Sequence, residues 1–211
     1  MRKANIVIII IILVSFIIAL WAYPNVPDKM ASHWNAKGQV DGYMSKFWGL
    51  FLMPIISFSL FLLFLVIPVI DPLKANIKKF RKYFDWFIIL LFVFFFYIFM
   101  LTILWNLGVR YNMNIAMVPA LGLLFFYIGI LLQKAKRNWF IGIRTPWTLS
   151  SDQVWDKTHK LGANLFKIAG VVAIIGIFFP KYSIWFVLIP VLAFAFYLIV
   201  YSYFEYQKEK K

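Results

Sequence analysis

The chain has 211 residues, a formal net charge of +14 and no cysteine, and hydrophobic residues make up 64% of it. A soluble domain of this size needs more polar surface than this composition supplies, so a soluble protein is excluded. The lack of cysteine excludes disulfides, thiolate nucleophiles and Cys-based metal sites.

Six apolar stretches of roughly the length that crosses a bilayer, about 20 residues, run through the chain. They are Ile6–Ala22, Trp48–Ile70, Trp86–Leu107, Ile115–Leu132, Ala163–Phe179 and Ile184–Phe204. The first stretch follows Arg2 and Lys3 and could be a secretory signal peptide, but it is long for one and lacks a small-residue cleavage site. We therefore predict an all-α integral membrane protein with six transmembrane helices, the first of them an uncleaved anchor.

The basic residues are distributed unequally between the two sides of the membrane. Sixteen of the 22 Lys and Arg residues fall at the termini and on the even-numbered loops, and five fall on the odd-numbered loops. By the positive-inside rule, both termini are predicted to be cytoplasmic. We interpret this charge as meeting anionic lipid headgroups, and we expect no direct binding of nucleic acid. Trp and Tyr residues near the span ends fit an interfacial belt.

The predicted spans lack Asp, Glu and His near their centres, and Lys167 lies close enough to a span end to reach the interface. Coupled transporters and intramembrane proteases usually need ionisable groups at depth. The sequence therefore argues against a pump and against a familiar intramembrane enzyme, and we expect no metal or other cofactor. The milder polar residues of the spans are interpreted as helix–helix hydrogen-bonding groups. They are Ser15, Ser57, Ser59, Thr102, Asn106 and Asn164.

The loop of residues 23–47, between the first two spans, is predicted to form a small ordered cap on the outer face. Met30–Trp34 and Gln39–Tyr43 alternate in a way that favours two short strands around a turn at Asn35–Gly38. A further turn is predicted at Asp41-Gly42. His33 and Asp41 are interpreted either as a hydrogen bond that fixes the hairpin or as part of a site for an extracellular peptide, and two ligands are too few for zinc. Trp34 and Tyr43 are expected to insert partly into the membrane.

The loop of residues 133–162, between the fourth and fifth spans, is the most distinctive stretch of the chain. Gly142 and Pro146 interrupt it, and Ser150 with Gln153 matches a capping box, so a helix is predicted to begin near Ser151. That helix is amphipathic and leads into the fifth span. The loop combines cations with aromatic residues that we expect to be exposed, which suits a protein partner. Its cations are Lys136, Arg137 and Arg144, and its aromatic residues are Trp139, Trp147 and Trp155.

The same inner loop resembles the SdpI family of bacterial membrane proteins, through residues 136–149, Val154-Trp155 and residues 157–162. The outer loop resembles the small domain at that family's N-terminus, through Val26-Pro27, His33, Gly38 and residues 41–43. The resemblance implies a membrane immunity protein that protects a cell from a secreted, membrane-active toxin peptide. It further implies a receptor that holds a small winged-helix repressor at the membrane when toxin is present.

From the resemblance and the loop chemistry together, two sets of site residues are expected. The outer set, for the toxin peptide, is His33, Trp34, Asp41 and Tyr43. The inner set, for a partner or for the shared motif, is Arg137, Asn138, Trp139, Gly142, Arg144, Thr145, Pro146, Trp147, Trp155 and His159. The chain is expected to divide into an N-terminal helix pair, residues 1–70, and a four-helix region, residues 71–211.

Two other functions are open on the sequence alone. A small transporter or channel could export a peptide, a lipid or an ion without a charged coupling site. An enzyme at the membrane surface would depend on His159 and Asp156, which are three residues apart on the predicted helix. Such a pair without a nucleophile or a metal partner is usually a helix-surface contact, so we predict that the chain is not an enzyme.

Overall fold

The structure is a computed structural model that describes residues 2–210. Within them lie six helices long and apolar enough to cross a membrane. They are α1 (Lys3–Ala22), α2 (Lys46–Ile70), α4 (Arg81–Asn106), α5 (Met113–Lys134), α7 (Asp152–Ile175) and α8 (Trp185–Glu209). A short helix α3 (Lys74–Lys79) joins α2 to α4, and another, α6 (Pro146–Ser150), precedes α7. Each predicted span coincides with one long helix, so the prediction of six apolar helices is confirmed.

The long helices pack as two groups of three. Helices α1, α2 and α4 form the first group and helices α5, α7 and α8 the second, with α4 against α5 between them. Buried Phe84 and Phe92 of α4 fill the first group, beside Phe64 of α2. Many apolar side chains remain on the outside, such as Phe196 of α8, which is 70% exposed. An apolar outer surface of this kind is stable only against lipid.

Helices α5 and α7 touch through their backbones. A Cβ atom on Gly122 would lie 2.8 Å from the carbonyl oxygen of Gly170, and one on Gly129 would lie 2.6 Å from the carbonyl oxygen of Ala163. A side chain at these positions would force the helices apart, so glycine is required for the observed separation. Small residues play this part in membrane helices because apolar side chains gain nothing by leaving lipid for protein.

The outer loop forms the predicted hairpin. Strand β1 (Lys29–Trp34) pairs antiparallel with strand β2 (Val40–Ser45) around a turn in which Gly38 has a φ of +76°. The turn predicted at Asp41-Gly42 is wrong, because both residues lie inside β2. Gly42 faces His33 at an irregularity of the register, and a Cβ atom there would lie 2.8 Å from the Cβ of His33. The glycine that suggested a turn instead makes room for the opposite strand.

Two asparagines attach the hairpin to the helices. The side chain of Asn106, at the end of α4, accepts from the backbone N–H of Ala31 at 2.8 Å and donates to the Ala31 carbonyl at 3.0 Å. Asn114, at the start of α5, donates to the carbonyl of Ala36 at 2.9 Å. Because α4 and α5 belong to different groups, the hairpin is bonded to both. The end of the bundle that carries the hairpin is called the outer end below, and the opposite end, with residue 2, α3 and α6, the inner end.

The interpretation of the span polar residues as helix–helix bonding groups is wrong for those whose bonds are seen. The hydroxyls of Ser15, Ser59 and Thr102 each donate to the carbonyl four residues earlier in their own helix. Such bonds satisfy the hydroxyl locally and are the usual alternative to a partner on another helix. Asn106 bonds the hairpin and its own helix rather than another helix. The hydrogen bonds between α4 and α5 come instead from two tyrosines, since the hydroxyl of Tyr97 donates to the carbonyl of Ala116 at 2.9 Å and that of Tyr127 to the carbonyl of Tyr83 at 3.1 Å.

Candidate functional site

The outer set of predicted residues lies together on the hairpin. Nδ1 of His33 donates to Oδ1 of Asp41 at 2.5 Å, which ties β1 to β2 and confirms the predicted hydrogen bond. Both side chains are largely exposed, as is Tyr43 on the next outward position of β2. Trp34 turns inward and packs edge-on against Trp105 of α4, with ring centroids 5.7 Å apart. The hairpin thus presents a polar pair outward and one aromatic ring to the helices.

A chain of aromatic contacts continues from Trp34 across the outer end. Trp105 also packs edge-on against Tyr111, whose hydroxyl donates to the carbonyl of Leu101. Burial raises the pKa of Tyr111 to about 12, so its hydroxyl stays protonated and remains a donor at physiological pH. The indole N–H of Trp34 is buried without a hydrogen-bond partner among the described residues. An orphaned donor of this kind calls for an explanation, because burial without a partner is costly.

A groove of about 400 Å³ opens beneath the hairpin, where the two helix groups meet at the outer end. One wall is the hairpin from Ser32 to Ala36. The other walls come from α4, α5 and the start of α8, and they are mostly apolar. Their side chains include Ile98, Thr102, Met113, Met117, Trp185 and Leu188. With His33 and Trp34 at its edge, the groove can accept an apolar segment whose polar groups stay near the hairpin.

The inner loop is held by its own side chains. Asn138 is fully buried, its Oδ1 accepts from the backbone N–H groups of Phe140 and Ile141, and its Nδ2 donates to the carbonyls of Lys136 and Ile141. Arg137 pairs with Asp152 at 2.7 Å and donates to the carbonyl of Leu149 at 2.8 Å. These two residues therefore shape the loop and leave no polar group of Asn138 available to a partner.

A second cluster joins the loop to the first turns of α7. Trp155 is fully buried, donates from Nε1 to the carbonyl of Ala135 at 3.0 Å, and stacks on His159 with ring centroids 3.9 Å apart. The expectation that Trp155 is exposed is wrong. Nε2 of His159 accepts from the N–H of Ile143 at 3.0 Å, and its Nδ1 donates to the carbonyl of Trp155 at 2.9 Å. An imidazole with one acceptor nitrogen is neutral, so the geometry fixes His159 as the uncharged Nδ1–H tautomer.

Gly142 is required by this cluster on two grounds. Its φ is +116°, a backbone conformation that residues with a side chain rarely adopt. A Cβ atom there would also lie 2.4 Å from Nε2 of His159. The possible catalytic pair of His159 and Asp156 is not formed, because His159 bonds only backbone groups and Asp156 pairs with Lys136 at 3.3 Å. Among residues 2–210, no group of three or more acidic, His or Cys side chains could hold a metal ion.

The capping box lies earlier in the loop than predicted. Thr145 and Thr148 cap α6 reciprocally, with Pro146 at its first position, and the hydroxyl of Thr145 also bonds that of Ser202 on α8 at 3.0 Å. Helix α7 is capped by Ser151 rather than Ser150, so the predicted start is confirmed and the predicted box is wrong. The Thr145–Thr148 pair has the spacing of a capping box, but its second residue is Thr rather than the usual Glu or Gln. The pattern is therefore hard to recognise in the sequence.

The surface of the inner loop carries Trp139, Arg144, Pro146 and Trp147 of the inner set. Trp139 is 51% exposed, and the exposed Arg144 donates to its carbonyl at 2.9 Å. Trp147 packs edge-on against Tyr203 of α8, with ring centroids 5.2 Å apart. Arg144, Pro146 and Trp147 border a groove of about 400 Å³ against α7 and α8. This is the part of the loop that can contact another molecule.

Two residues that the sequence analysis did not single out hold the inner loop in place. Asp71, which is 2% exposed, accepts from the N–H of Leu73 at 2.6 Å and from the N–H of Trp139 at 2.9 Å. Asn76 of α3 donates to the carbonyl of Arg137 at 2.9 Å. The only sequence signal is the acidic residue Asp71 directly after a span. It joins the connection between α2 and α4 to the inner loop.

The structure has six apolar helices, a hairpin cap at the outer end and an inner loop held by its own hydrogen bonds. These features define a multi-pass membrane protein of the class that the loop motifs indicate. Residues 134–203 match the sequence model of the SdpI/YfhL protein family, and residues 10–58 match a domain of unknown function (DUF1648). These matches confirm the resemblance to the SdpI family, and with its six apolar helices the chain is a multi-pass protein of a bacterial membrane.

One curated relative matches along nearly the full length. The chain is 29% identical over 209 residues to the immunity protein SdpI of Bacillus subtilis (strain 168), and the alignment covers 98% of this chain and 97% of that protein. The matched regions include both the outer hairpin and the inner loop. No solved structure matches the chain significantly.

Proposed function

We propose that the chain is a non-enzymatic membrane immunity protein that binds a secreted, membrane-active toxin peptide in the outer groove. The observation that carries this proposal is the groove itself, which is apolar, opens at the outer end and has a polar edge formed by His33 and the hairpin backbone. The relative with the printed name of an immunity protein supports the same role. An amphipathic peptide fits such a site, because its apolar face leaves water while its polar face stays exposed.

The orphaned indole N–H of Trp34 supports a ligand with backbone carbonyl groups. Trp34 lines the groove, and a small shift of the hairpin would turn its donor towards a bound peptide. A new hydrogen bond there would stabilise the complex by about 0.5–1.5 kcal/mol, because the protein without peptide leaves this buried donor unpaired among the described residues. His33, Asp41 and Tyr43 are then the exposed residues at the edge that meet the polar face of the peptide.

At the inner end, we propose that Trp139, Arg144 and Trp147 form the contact surface for a cytoplasmic protein, with a winged-helix repressor as the candidate. A cation beside half-exposed aromatic rings suits an acidic or apolar patch of a partner. Both termini are cytoplasmic in this proposal, as the distribution of Lys and Arg predicts. Asn138, Gly142, Trp155 and His159 support the surface from beneath rather than touch the partner.

The two ends are joined by the second helix group. The groove contacts the starts of α5 and α8, and the inner ends of the same helices bond the loop, through Ala135 after α5 and Ser202 on α8. A peptide that moves α5 and α8 relative to α4 would therefore change the inner loop. Signalling of this kind requires that the peptide bind one arrangement of the helices more tightly than the other.

The test is survival of a sensitive host that expresses the chain and is challenged with secreted toxin peptides. We expect wild type to protect and Met117→Trp, which fills the groove, to lose protection at equal membrane levels. Leu123→Trp is the matched control, since Leu123 lies on the same helix and is 57% exposed to lipid. Failure of wild type to protect against any such peptide would refute the function, and equal protection by Met117→Trp would refute the site.

A second candidate function, facilitated export of a peptide, lipid or ion, is favoured by one observation. A cleft of about 280 Å³ lies between the same two helix groups nearer the inner end, bordered by Phe64, Phe84 and Leu131. A cavity near each end of one seam is consistent with alternating access, in which one helix group rocks against the other and opens one end at a time. Flux of labelled peptide across vesicles that contain the purified chain would distinguish export from protection by binding, because binding alone moves nothing across.

A further inference from the structure

A basic pocket lies at the inner end, between the first turns of α1 and α4. It measures about 450 Å³ and is separate from the outer groove and from the inner loop. Its lining is Arg2, Lys3, Ala4, Lys82, Asp85, Trp86 and Ile89. The pocket thus combines three cations and one carboxylate with an apolar side.

The carboxylate in the pocket is already neutralised. Oδ1 of Asp85 lies 3.0 Å from Nη1 of Arg2 and 2.8 Å from Nε of Arg81. Lys3 and Lys82 are exposed, and neither takes part in any ion pair formed within residues 2–210. Two ammonium groups therefore remain at the pocket without an opposing charge, which makes it a site for an anion.

The position of the pocket identifies the kind of anion. Both helices begin here, so the pocket lies at the level where their apolar segments enter the membrane. Trp86, at its edge, is 55% exposed, as is typical of an aromatic ring at headgroup depth. Further along α1, the exposed side chains of Ile6 and Ile10 offer an apolar surface. A ligand that suits all of these features has an anionic group joined to hydrocarbon chains.

We propose that this pocket binds the phosphate of an anionic phospholipid, with Arg2, Lys3 and Lys82 around the phosphate and the acyl chains against α1. Basic pockets between membrane helices on the cytoplasmic side bind such headgroups in general, because two or three fixed cations replace the counterions of the lipid. The pocket is formed by helices α1 and α4 alone. It shares no lining residue with the outer groove.

The test is titration of the full chain in detergent with phosphatidylglycerol, followed by native mass spectrometry. We expect the double variant Lys3→Gln/Lys82→Gln to bind about 30-fold more weakly than wild type, since each lysine near an anionic headgroup contributes about 1 kcal/mol and about 1.4 kcal/mol is tenfold. The double variant Lys74→Gln/Lys78→Gln is the matched control. It removes the same charge from two exposed lysines of α3 that lie outside the pocket.

Three further outcomes decide the proposal. Lys3→Arg/Lys82→Arg keeps the charge and should bind as wild type does, which separates the loss of a cation from a loss of folding. Phosphatidylcholine should bind wild type and both glutamine variants equally and weakly. Equal weakening by the two glutamine variants would overturn the proposal in favour of general surface charge. Displacement of the lipid by free glycerol phosphate at the same concentration would overturn the lipid and assign the pocket to a free phosphate.

Discussion

Replacement of Gly142 by alanine tests whether the inner loop depends on its contact with His159. The new Cβ atom would lie 2.4 Å from Nε2 of His159, so the imidazole must move and the N–H of Ile143 loses its acceptor. The positive φ costs about 1–3 kcal/mol for any residue with a side chain. The unpaired N–H costs about 1–3 kcal/mol more. Together they predict that Gly142→Ala lowers the free energy of unfolding by about 2–6 kcal/mol.

Gly108→Ala is the matched control for this prediction. Its φ is +103°, close to that of Gly142, but a Cβ atom there would meet nothing within 4 Å. It should therefore lose only the backbone part, about 1–3 kcal/mol. In a chain that already carries His159→Ala, Gly142→Ala should likewise add only the backbone part, because the imidazole and its bond are gone.

The assay is equilibrium unfolding of the purified chain in mixed detergent micelles with increasing SDS. Tryptophan fluorescence is a suitable signal of unfolding, and Trp155, which stacks on His159, is one of the nine Trp residues that contribute to it. The reasoning would be refuted if Gly142→Ala and Gly108→Ala destabilised the chain equally. It would also fail if the loss from Gly142→Ala were the same with and without His159.

Three other substitutions have outcomes that the contacts determine. Asn106→Leu removes both hydrogen bonds to the first strand of the hairpin, so amide hydrogen exchange in that strand should become at least tenfold faster. Unchanged exchange would show that packing alone holds the strand. Gly170→Leu should prevent stable accumulation in the membrane, because its Cβ atom would lie 2.5 Å from the Gly122 carbonyl oxygen of the facing helix α5. Val171→Leu changes the neighbouring, lipid-exposed residue and should accumulate normally. Asp71→Ala leaves the N–H of Trp139 without its acceptor, so trypsin should cut the inner loop faster than in wild type, and equal cleavage would contradict the role assigned to Asp71.

Most of the fold that follows from local pattern was predicted correctly, apart from the turn at Asp41-Gly42 and the capping box at Ser150. Six helices follow from apolar length alone, because a backbone in lipid must satisfy its own hydrogen bonds. The hairpin follows from the alternation around Asn35–Gly38, and the bond between His33 and Asp41 follows from their nearby positions on its two strands. These features depend on residues that are near one another in the sequence.

Other features that the sequence did not predict depend on contacts between distant segments. Asp71 accepts a hydrogen bond from the N–H of Trp139, which is 68 positions away in the chain, and no local sequence pattern predicts this contact. Trp155 looked exposed because an amphipathic helix before a span suggests an interfacial position, but the inner loop folds over it. The division of the chain at residue 70 and the assignment of individual site residues stay predictions, as does the cytoplasmic position of the termini.

The inner loop has a consequence for how relatives can differ. Asn138, Gly142, Trp155 and His159 are each fixed by a bond or a contact inside the loop. Under the proposed function, lineages that adapt to different toxins would therefore keep these four residues for folding and would change the lining of the outer groove. A shared inner-loop motif then reports common ancestry and architecture. Under the proposed function, the peptide that each relative resists would be recorded instead in partly exposed residues of the groove, such as Met117.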